Sequence, residues 1–266
     1  MKNIITVEGI SPFLSHNKTP GHINVFGSLE STNKTAKEMI MAGTNHGTVV
    51  IADSQTAGKG RYGRVFHSPP GHGIYMSLIL RSKQLWFDTP TLVTAFAAVS
   101  VCESIEAISD KTPQIKWVND IYLNNRKICG ILTESVTVSG AQWTVIGIGI
   151  NFSTPKAAFP EELRHIAGSV FADDTPTVTR NRLIAEIINR LISPKKRYSD
   201  KKLLDVYKKR LMMLGRNITV ITGGESYSAT AVDIDDTGRL IVRIGDGELQ
   251  TLSAGEISIS VLGKLG

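Results

Sequence analysis

The chain has 266 residues, a formal net charge of +6 and 41% hydrophobic residues. This length suits one large domain, or a large domain with a small one appended, and the ordinary apolar fraction excludes a wholly disordered chain. No run approaches about 18 consecutive apolar residues and the N-terminus lacks a signal-peptide layout, so we expect no membrane span. The two cysteines, Cys102 and Cys129, are too few for a disulfide framework or a zinc site, which makes a reducing cytoplasm the expected compartment.

The moderate positive charge suits anionic substrates such as nucleotides, or an acidic protein partner. Its densest basic stretch, residues 195–210, is interleaved with Leu203, Leu204, Val206 and Tyr207. That pattern favours the solvated side of an amphipathic helix over a nucleic-acid-binding arm.

Hydrophobic periodicity and turn residues predict the elements of the first 214 residues. In chain order they are a helix over 32–41, strands over 49–52 and 74–80, a buried helix over 91–108, strands over 114–118, 121–123, 128–134 and 143–150, and helices over 179–192 and 200–214. Within the first helix, Thr35 and Glu38 have the spacing of a capping box. Asn124 and Asn125 predict a tight turn between two of the strands.

The composition changes after Gly215. Short apolar segments near residues 218, 227, 240, 248 and 257 alternate with glycine-containing turns, which predicts five short strands and a small β-barrel. We therefore expect an α+β fold, in which residues 1–214 form a main domain with helices over a mixed sheet and residues 215–266 form the barrel.

The most informative segment is residues 55–64, with the sequence QTAGKGRYGR. Its glycines and cations are Gly58, Lys59, Gly60, Arg61, Gly63 and Arg64. Glycines allow backbone amides to approach a ligand closely, and amides with clustered cations are what a polyphosphate requires. The spacing is neither a dinucleotide fingerprint nor a Walker A loop. From spacing alone, a flexible basic surface loop is an equally good interpretation.

Polar residues also interrupt an apolar region further along the chain. Lys116, Asn119 and Asp120 lie at a predicted strand end, and Lys127 precedes the next long strand. A carboxylate in this position can hold magnesium, and lysines can counter anionic oxygens. From the pattern alone, a simple turn and a solvated lysine beside a hairpin are favoured instead.

Two weaker signals complete the set. Gly147, Gly149 and Asn151 alternate on one strand face, which leaves room for a ligand to lie flat, although a close backbone or helix crossing explains them equally well. The Ser-Thr-Asn sequence at residues 31–33 suits helix capping, and its hydroxyls equally suit a polar ligand group.

Taken in this order, the segments resemble the catalytic domain of biotin–protein ligases. The family pattern is Ser-Thr-Asn, Gln with a Gly-Arg/Lys-Gly-Arg-x-Gly loop, Lys-Trp-Pro-Asn-Asp, Lys-x-x-Gly-Ile-Leu and Gly-x-Gly-x-Asn, matched from about Glu30 to Phe152. The resemblance implies a class II synthetase-like catalytic domain followed by an SH3-like module. Val118 departs from the usual proline and Phe66 from the common tryptophan. Lys59 replaces an arginine, which keeps the charge and loses the bidentate fork.

The resemblance implies a two-step reaction. The biotin carboxylate attacks the α-phosphorus of ATP with Mg²⁺ as cofactor, and a lysine of a biotin carboxyl carrier protein or domain then displaces AMP. Lys127 and Arg61 are the implied catalytic residues. The implied biotin contacts are Ser31, Thr32, Asn33, Gln55, Gly58, Arg61, Lys127, Gly130, Leu132, Gly147 and Gly149. The implied ATP or adenylate contacts are Lys59, Gly60, Arg61, Arg64, Lys116, Asn119 and Asn151, and Asp120 is the candidate metal ligand.

Two structural expectations accompany these assignments. Strict strand alternation would put Lys127 on the face opposite Gly130 and Leu132, so we expect the strand to begin after Lys127. The glycine-rich loop at residues 58–66 carries repelling cations, so we expect it to be mobile without ligand and to order around the adenylate.

The nearest alternative is a lipoate ligase or octanoyltransferase, because these enzymes have a related fold and a comparable lysine. Cys129 raises the question of a thiol nucleophile, but its apolar neighbours favour a core cysteine. A biotin-sensing repressor is disfavoured, since only about 24 residues precede the catalytic pattern, and no DNA partner is expected. A non-catalytic binding protein is the third alternative. The acceptor carboxylase, and the choice between monomer and homodimer, stay open.

Overall fold

The secondary structure follows the predicted order of elements from residue 32 onward, and a short helix and a strand that were not predicted precede them. The computed structural model describes residues 4–15, 22–84, 87, 89–172, 176–192, 198–222, 224–245, 247–253 and 255–259. Its helices are α1 (Val7–Ile10), α2 (Thr32–Met41), α3 (Pro90–Ile108), α4 (Arg180–Leu191) and α5 (Asp200–Arg210). Its strands are β1 (Ile23–Leu29), β2 (Val49–Gln55), β3 (Gly73–Arg81), β4 (Gln114–Lys116), β5 (Asp120–Leu123), β6 (Arg126–Val138), β7 (Ala141–Asn151), β8 (Asn217–Thr222), β9 (Glu225–Ile234), β10 (Leu240–Ile244), β11 (Glu248–Leu252) and β12 (Glu256–Ile259).

Two sheets organise these strands. The larger has the order β1-β2-β3-β7-β6-β5-β4, with β1 and β2 parallel and the other neighbours antiparallel. The smaller sheet, β11-β10-β9-β8-β12, is antiparallel throughout. The predicted α+β class, a mixed sheet with helices followed by a small β domain, is confirmed. The division of the chain at residues 214 and 215 remains a prediction.

Helix α3 is the centre of the main core. Thr89 caps its first turn by accepting a hydrogen bond from the Leu92 amide, and Pro90 suits the first helical position. One side packs on β5 and β6, and α4 and α5 cover the rest. By length and composition alone, α3 is long and apolar enough to span a membrane. In the folded protein 72% of the apolar 18-residue stretch of α3 is buried, as in a core helix.

Helix α2 begins where it was predicted to begin, but its cap differs. Ser31 is the N-cap residue and Thr32 is the first helical residue. The predicted capping box is therefore wrong, because Thr35 and Glu38 lie inside the helix rather than across its start. Helix α5 also ends four residues earlier than predicted, at Arg210. Of the basic stretch, residues 195–197 lie outside the described residues.

A β-bulge in β6 corrects the expected start of that strand. Strand β6 begins at Arg126, so Lys127 is within it rather than in the preceding turn. Ile121 pairs with Cys129 and Tyr122 pairs with Lys127, which leaves Ile128 as an extra residue on β6. Because an extra residue reverses the alternation of side chains, Lys127 lies on the same face as Gly130. Its Nζ atom is 3.5 Å from the position that a Cβ at Gly130 would take.

Residues 116–120 are fixed from two sides. The Trp117 indole donates a hydrogen bond at 3.0 Å to Gly238 O, in the turn between β9 and β10, and the buried Tyr207 hydroxyl of α5 donates to Val118 O at 2.9 Å. The peptide bond between Trp117 and Val118 is cis. These contacts hold the strand end that carries Lys116, Asn119 and Asp120.

Replacing Tyr207 with phenylalanine should lower the free energy of unfolding by about 1–3 kcal/mol, because the Val118 carbonyl loses its buried partner. Urea denaturation measures the change. Tyr227→Phe is the matched control, since that hydroxyl donates to Gln250 on the surface, and its loss should stay within about 0.5 kcal/mol. Equal losses in the two variants would contradict the predicted difference.

Candidate active site

A cavity of about 320 Å³ lies over one end of the large sheet. It brings together most of the residues assigned from the sequence. Those that line it are Ser31, Thr32, Asn33, Gln55, Lys59, Gly60, Arg61, Arg64, Lys116, Asn119, Asp120, Lys127, Gly130, Leu132, Gly147 and Gly149. These residues come from six separate segments of the chain, so only the tertiary fold makes them neighbours.

Two assigned residues are not in this lining. Gly58 lies at the start of the loop and packs against its end, since an added Cβ would stand 2.5 Å from Phe66 O. Asn151 is buried at the end of β7, and its Nδ2 donates to Gly168 O at 3.0 Å. Both residues therefore support segments that surround the cavity.

The positive end of the cavity is built by the loop and the strand ends. Arg61 donates from Nη1 to Asn119 Oδ1 at 3.1 Å and from Nη2 to the Tyr62 hydroxyl at 2.8 Å. Lys127 Nζ lies 2.7 Å from Asp120 Oδ1. Lys59, Arg64 and Lys116 add further positive charges to the lining. A ligand that carries several negative charges fits this end.

The opposite end is a network of uncharged polar groups. Gln55 Oε1 accepts hydrogen bonds from the Thr32 amide at 2.8 Å and the Thr32 hydroxyl at 3.2 Å. The Ser77 hydroxyl lies 2.8 Å from Thr32 Oγ1 and 2.6 Å from Asn33 Oδ1. Ser31 is the N-cap of α2, yet its buried side chain makes no capping hydrogen bond. Its hydroxyl therefore remains available to a ligand.

Phe66 occupies the space that the strand glycines leave open. An added Cβ would lie 2.6 Å from the Phe66 ring at Gly149 and 3.3 Å from it at Gly130. The ring also makes an edge contact with Tyr75, with centroids 6.4 Å apart. At Gly149 and Gly130 the open space is thus filled by an aromatic side chain of the loop, whereas at Gly147 it is filled by Asn33 of helix α2.

Sequence reasoning missed several lining residues. They are Tyr62, Val65, Trp117, Tyr122, Ile131, Ile148, Leu163, Ile166, Gly255 and Ile257. Leu163 and Ile166 belong to an irregular segment whose backbone pairs with Lys127, through Lys127 N to Ile166 O and Gly168 N to Lys127 O. Gly255 donates its amide hydrogen to the Tyr62 hydroxyl at 2.9 Å. These contacts join residues that are far apart in the chain, so no local sequence pattern predicts them.

The cysteines are core residues. Cys129 has no exposed surface, and burial raises the pKa of its thiol well above the ordinary value. Burial likewise raises the pKa of Cys102 to about 12. A buried thiol with a raised pKa is a poor nucleophile, so the octanoyltransferase alternative gains no support from Cys129.

The side chains of the cavity can hold a metal ion only together with ligands that a substrate and water supply. Among the described residues, no group of three His, Cys, Asp or Glu side chains is placed to hold a metal. Asp120 supplies the single carboxylate in the described lining. Mg²⁺ is commonly held by one or two carboxylates together with substrate phosphates and water, and Asp120 fits that arrangement.

Gly147→Ala should raise the KM for the ligand of the polar end about tenfold or more, because the added Cβ would collide with Asn33 Oδ1. Asn33 is hydrogen-bonded on both sides of its amide, so we also expect a loss of about 1–3 kcal/mol in unfolding free energy. Gly27→Ala is the control, since nothing lies within 4 Å of its added Cβ. Steady-state kinetics and urea unfolding measure the two effects. An unchanged KM in Gly147→Ala would show that the Asn33 contact does not limit binding.

Comparison with known proteins identifies the family. Residues 25–151 match the model of the biotin/lipoate A/B protein ligase family, and residues 213–260 match the model of the biotin protein ligase C-terminal domain. Over 236 residues the chain is 38% identical to the bifunctional ligase/repressor BirA of Bacillus spizizenii, which covers 85% of this chain and 70% of that protein. The chain belongs to the biotin protein ligase family.

Other biotin protein ligases agree with this placement. The biotin--[acetyl-CoA-carboxylase] ligase of Mycobacterium tuberculosis is 28% identical over 241 residues, covering 88% of each chain. The biotin protein ligase of Aquifex aeolicus, solved in complex with biotin and ATP, superimposes with a TM-score of 0.76 at 24% identity and covers 90% of this chain and 98% of its own. The expected ligase class and fold are confirmed, and the lipoate alternative finds no support.

Proposed function

We propose that this chain activates biotin with ATP, releasing pyrophosphate and forming biotinyl-5′-AMP, and then transfers the biotinyl group to a lysine of a biotin carboxyl carrier protein or domain. The observation that carries the proposal is the convergence of Arg61, Lys116 and Lys127 on one cavity. The other end of that cavity is uncharged and polar, which suits a ring with N–H and C=O groups.

The first step brings two anions together. A carboxylate oxygen of biotin forms a bond to the α-phosphorus, and the bond from that phosphorus to the bridging oxygen of pyrophosphate breaks. Mutual repulsion opposes this approach, so fixed positive charges that face both groups lower the barrier. Lys127 is proposed to contact the carboxylate and the α-phosphate, and Arg61 the phosphate.

Biotin is proposed to lie between the two ends. Its ring would meet Ser31, Thr32, Asn33 and Gln55, and its chain would run toward Lys127. Gly130, Leu132, Gly147 and Gly149 would form the wall, with Gly58 supporting the loop. This orientation is supported by the separation of the uncharged polar network from the cations.

The nucleotide is proposed to lie along the loop and the strand ends. Its contacts would be Lys59, Gly60, Arg61, Arg64, Lys116 and Asn119, and Asn151 would act from beneath. The loop at residues 58–66 is proposed to close over the adenylate. A protease should cut this loop more slowly when biotin and ATP are present, and equal cutting would refute the closure.

Mg²⁺ is proposed to arrive with ATP and to be held by its phosphates and by Asp120. When bound, the ion neutralises phosphate charge and so assists the approach of the carboxylate. Lys127 holds Asp120 in position through their 2.7 Å contact.

The second step needs a neutral amine. The nitrogen of an acceptor lysine forms a bond to the biotinyl carbonyl carbon, the bond from carbon to the AMP oxygen breaks, and the amine loses a proton. The cavity is open on one side, which would admit a lysine presented on a carrier surface.

We propose a cytoplasmic location, and the expectation that no DNA is bound stays a prediction.

Mass spectrometry tests the proposal directly. Protein mixed with ATP, Mg²⁺ and biotin should yield a species with the mass of biotinyl-5′-AMP, with matching release of pyrophosphate. Lipoate in place of biotin is the matched control and should yield neither product. A lipoyl adenylate without a biotinyl adenylate would reverse the substrate assignment, and no adenylate from either acid would refute the activity.

A further inference from the structure

Glu134 lies beside the cavity without lining it. Gly130, Leu132 and Glu134 alternate along one face of β6, and the first two of them line the cavity. The Glu134 carboxylate accepts hydrogen bonds from Asn33 Nδ2 and from Lys37 Nζ, each at 2.8 Å. Its side chain is 28% exposed. A half-buried carboxylate therefore ties β6 to the first turns of α2.

This carboxylate determines which way the Asn33 amide faces. Asn33 Nδ2 donates one hydrogen to Leu132 O at 3.2 Å and the other to Glu134 Oε2 at 2.8 Å. Both partners are pure acceptors, so a flipped amide would put its oxygen against two oxygens. The Oδ1 atom must consequently face the other way, toward Ser77 and Gly147.

The Asn33 orientation sets the polarity of the neighbouring hydroxyls. Asn33 Oδ1 has no hydrogen to give, so its 2.6 Å contact with Ser77 requires the single Ser77 hydrogen. The Thr32 hydrogen then goes either to Ser77 Oγ or to Gln55 Oε1. In both cases the Thr32 hydrogen is taken by a protein acceptor, which leaves lone pairs of Thr32 Oγ1 for a ligand in the cavity.

A flipped Asn33 would reverse this pattern. Its Nδ2 would donate to Ser77, and the Ser77 hydrogen would turn to Thr32 Oγ1 and occupy a lone pair there. Thr32 Oγ1 would then have one lone pair fewer for a ligand in the cavity. A ligand that offers ring N–H groups would lose an acceptor, which is costly in a buried site.

We propose that Glu134 is a positioning residue for biotin recognition: it fixes the Asn33 amide, and the fixed amide makes the polar end of the cavity an acceptor for biotin ring N–H groups. This inference rests on the proposed function and assigns a role to a residue outside the cavity. Glu134 acts through Asn33 and contacts neither substrate.

The charge state of Glu134 agrees with this role. Burial raises the pKa of its carboxyl, but hydrogen bonds from Lys37 and Asn33, together with nearby positive charge, lower the pKa overall. The positive charge of Lys59 contributes to the lowered pKa of the Glu134 carboxyl. The group is therefore ionised at neutral pH and accepts from both partners at once.

Steady-state kinetics with Glu134→Gln test the inference. Glutamine has one acceptor oxygen for two donors, so the Asn33 amide loses its charged partner. We expect the KM for biotin to rise about tenfold, with the KM for ATP and kcat within about threefold of wild type. Lys37→Met is the matched control, because it removes the other partner of the same carboxylate and leaves Asn33 in place. Its KM for biotin should stay within about twofold.

A double-mutant cycle separates positioning from general damage. If Glu134 acts through Asn33, the pair Asn33→Ala and Glu134→Ala should raise the KM for biotin no more than Asn33→Ala alone. Additive effects, or an equal rise in Lys37→Met, overturn the inference. Should Glu134→Gln fail to fold, a normal biotin KM in folded Asn33→Ala overturns it as well. Wild-type protein that forms no biotinyl-5′-AMP refutes the proposed function itself, so the two failures are distinguishable.

Discussion

Lys127→Ala should reduce the rate of biotinyl-5′-AMP formation by at least about 10²–10³-fold, the cost of losing a fixed charge that faces the transition state. The loss has two parts. A cation is lost where the carboxylate and the phosphate meet. Asp120 also loses the lysine that lies 2.7 Å from its Oδ1 atom, so it becomes an uncompensated anion that repels both groups. Pyrophosphate release in a single-turnover assay measures the rate.

The fold should tolerate this change. The Lys127 and Asp120 side chains are 29% and 21% exposed, so water screens much of their interaction, and the unfolding free energy should fall by about 1 kcal/mol or less. Lys208→Ala is the matched control, since Lys208 pairs with Asp233 at 2.6 Å outside the cavity. It should retain wild-type rates. Wild-type rates in Lys127→Ala would remove the catalytic assignment.

Arg61→Ala should lower kcat/KM for ATP about 10²-fold, with a smaller effect on the KM for biotin. The guanidinium is held from two sides, by Asn119 and Tyr62, so it is oriented before the nucleotide binds and little reorganisation is needed. Arg61→Lys should recover only part of the loss, because an ammonium keeps the charge without the planar fork.

Separate titrations of ATP and biotin measure this effect. Arg239→Ala is the control, because that arginine bonds to Asp235 in the small sheet, away from the cavity, and should leave both KM values unchanged. A rise confined to the KM for biotin would place Arg61 at biotin and not at the nucleotide. No change in either value would exclude it from both.

Much of the fold follows from local patterns. The Asn124-Asn125 turn is an example, since both residues adopt the positive φ values, 50° and 59°, that asparagine tolerates in a tight hairpin. The predicted bounds of α2 are also those observed, because a polar N-cap and helical periodicity are properties of neighbouring residues. The motif residues are similarly readable, as their order along the chain carries the family resemblance.

The remaining features depend on contacts that the sequence does not encode locally. Phe66 packs on Gly149 only because the loop folds back over β7, and Ile257 reaches the cavity only because the small sheet docks there. Asn151 is a second example: the motif marks its position, but the sequence does not reveal that its buried side chain donates to the Gly168 carbonyl. The Glu134 contact with Asn33 spans 101 residues of chain.

The extra residue at Ile128 changes the spacing at which side chains of β6 lie on the same face. Lys127 and Gly130 are an odd number of positions apart, yet they share a side. Rebuilding this hairpin with regular one-to-one pairing and no bulge, at its present number of residues, would place Lys127 on the face opposite Gly130 while leaving every motif letter in place. Redesigns of this segment must therefore preserve the bulge as strictly as the composition.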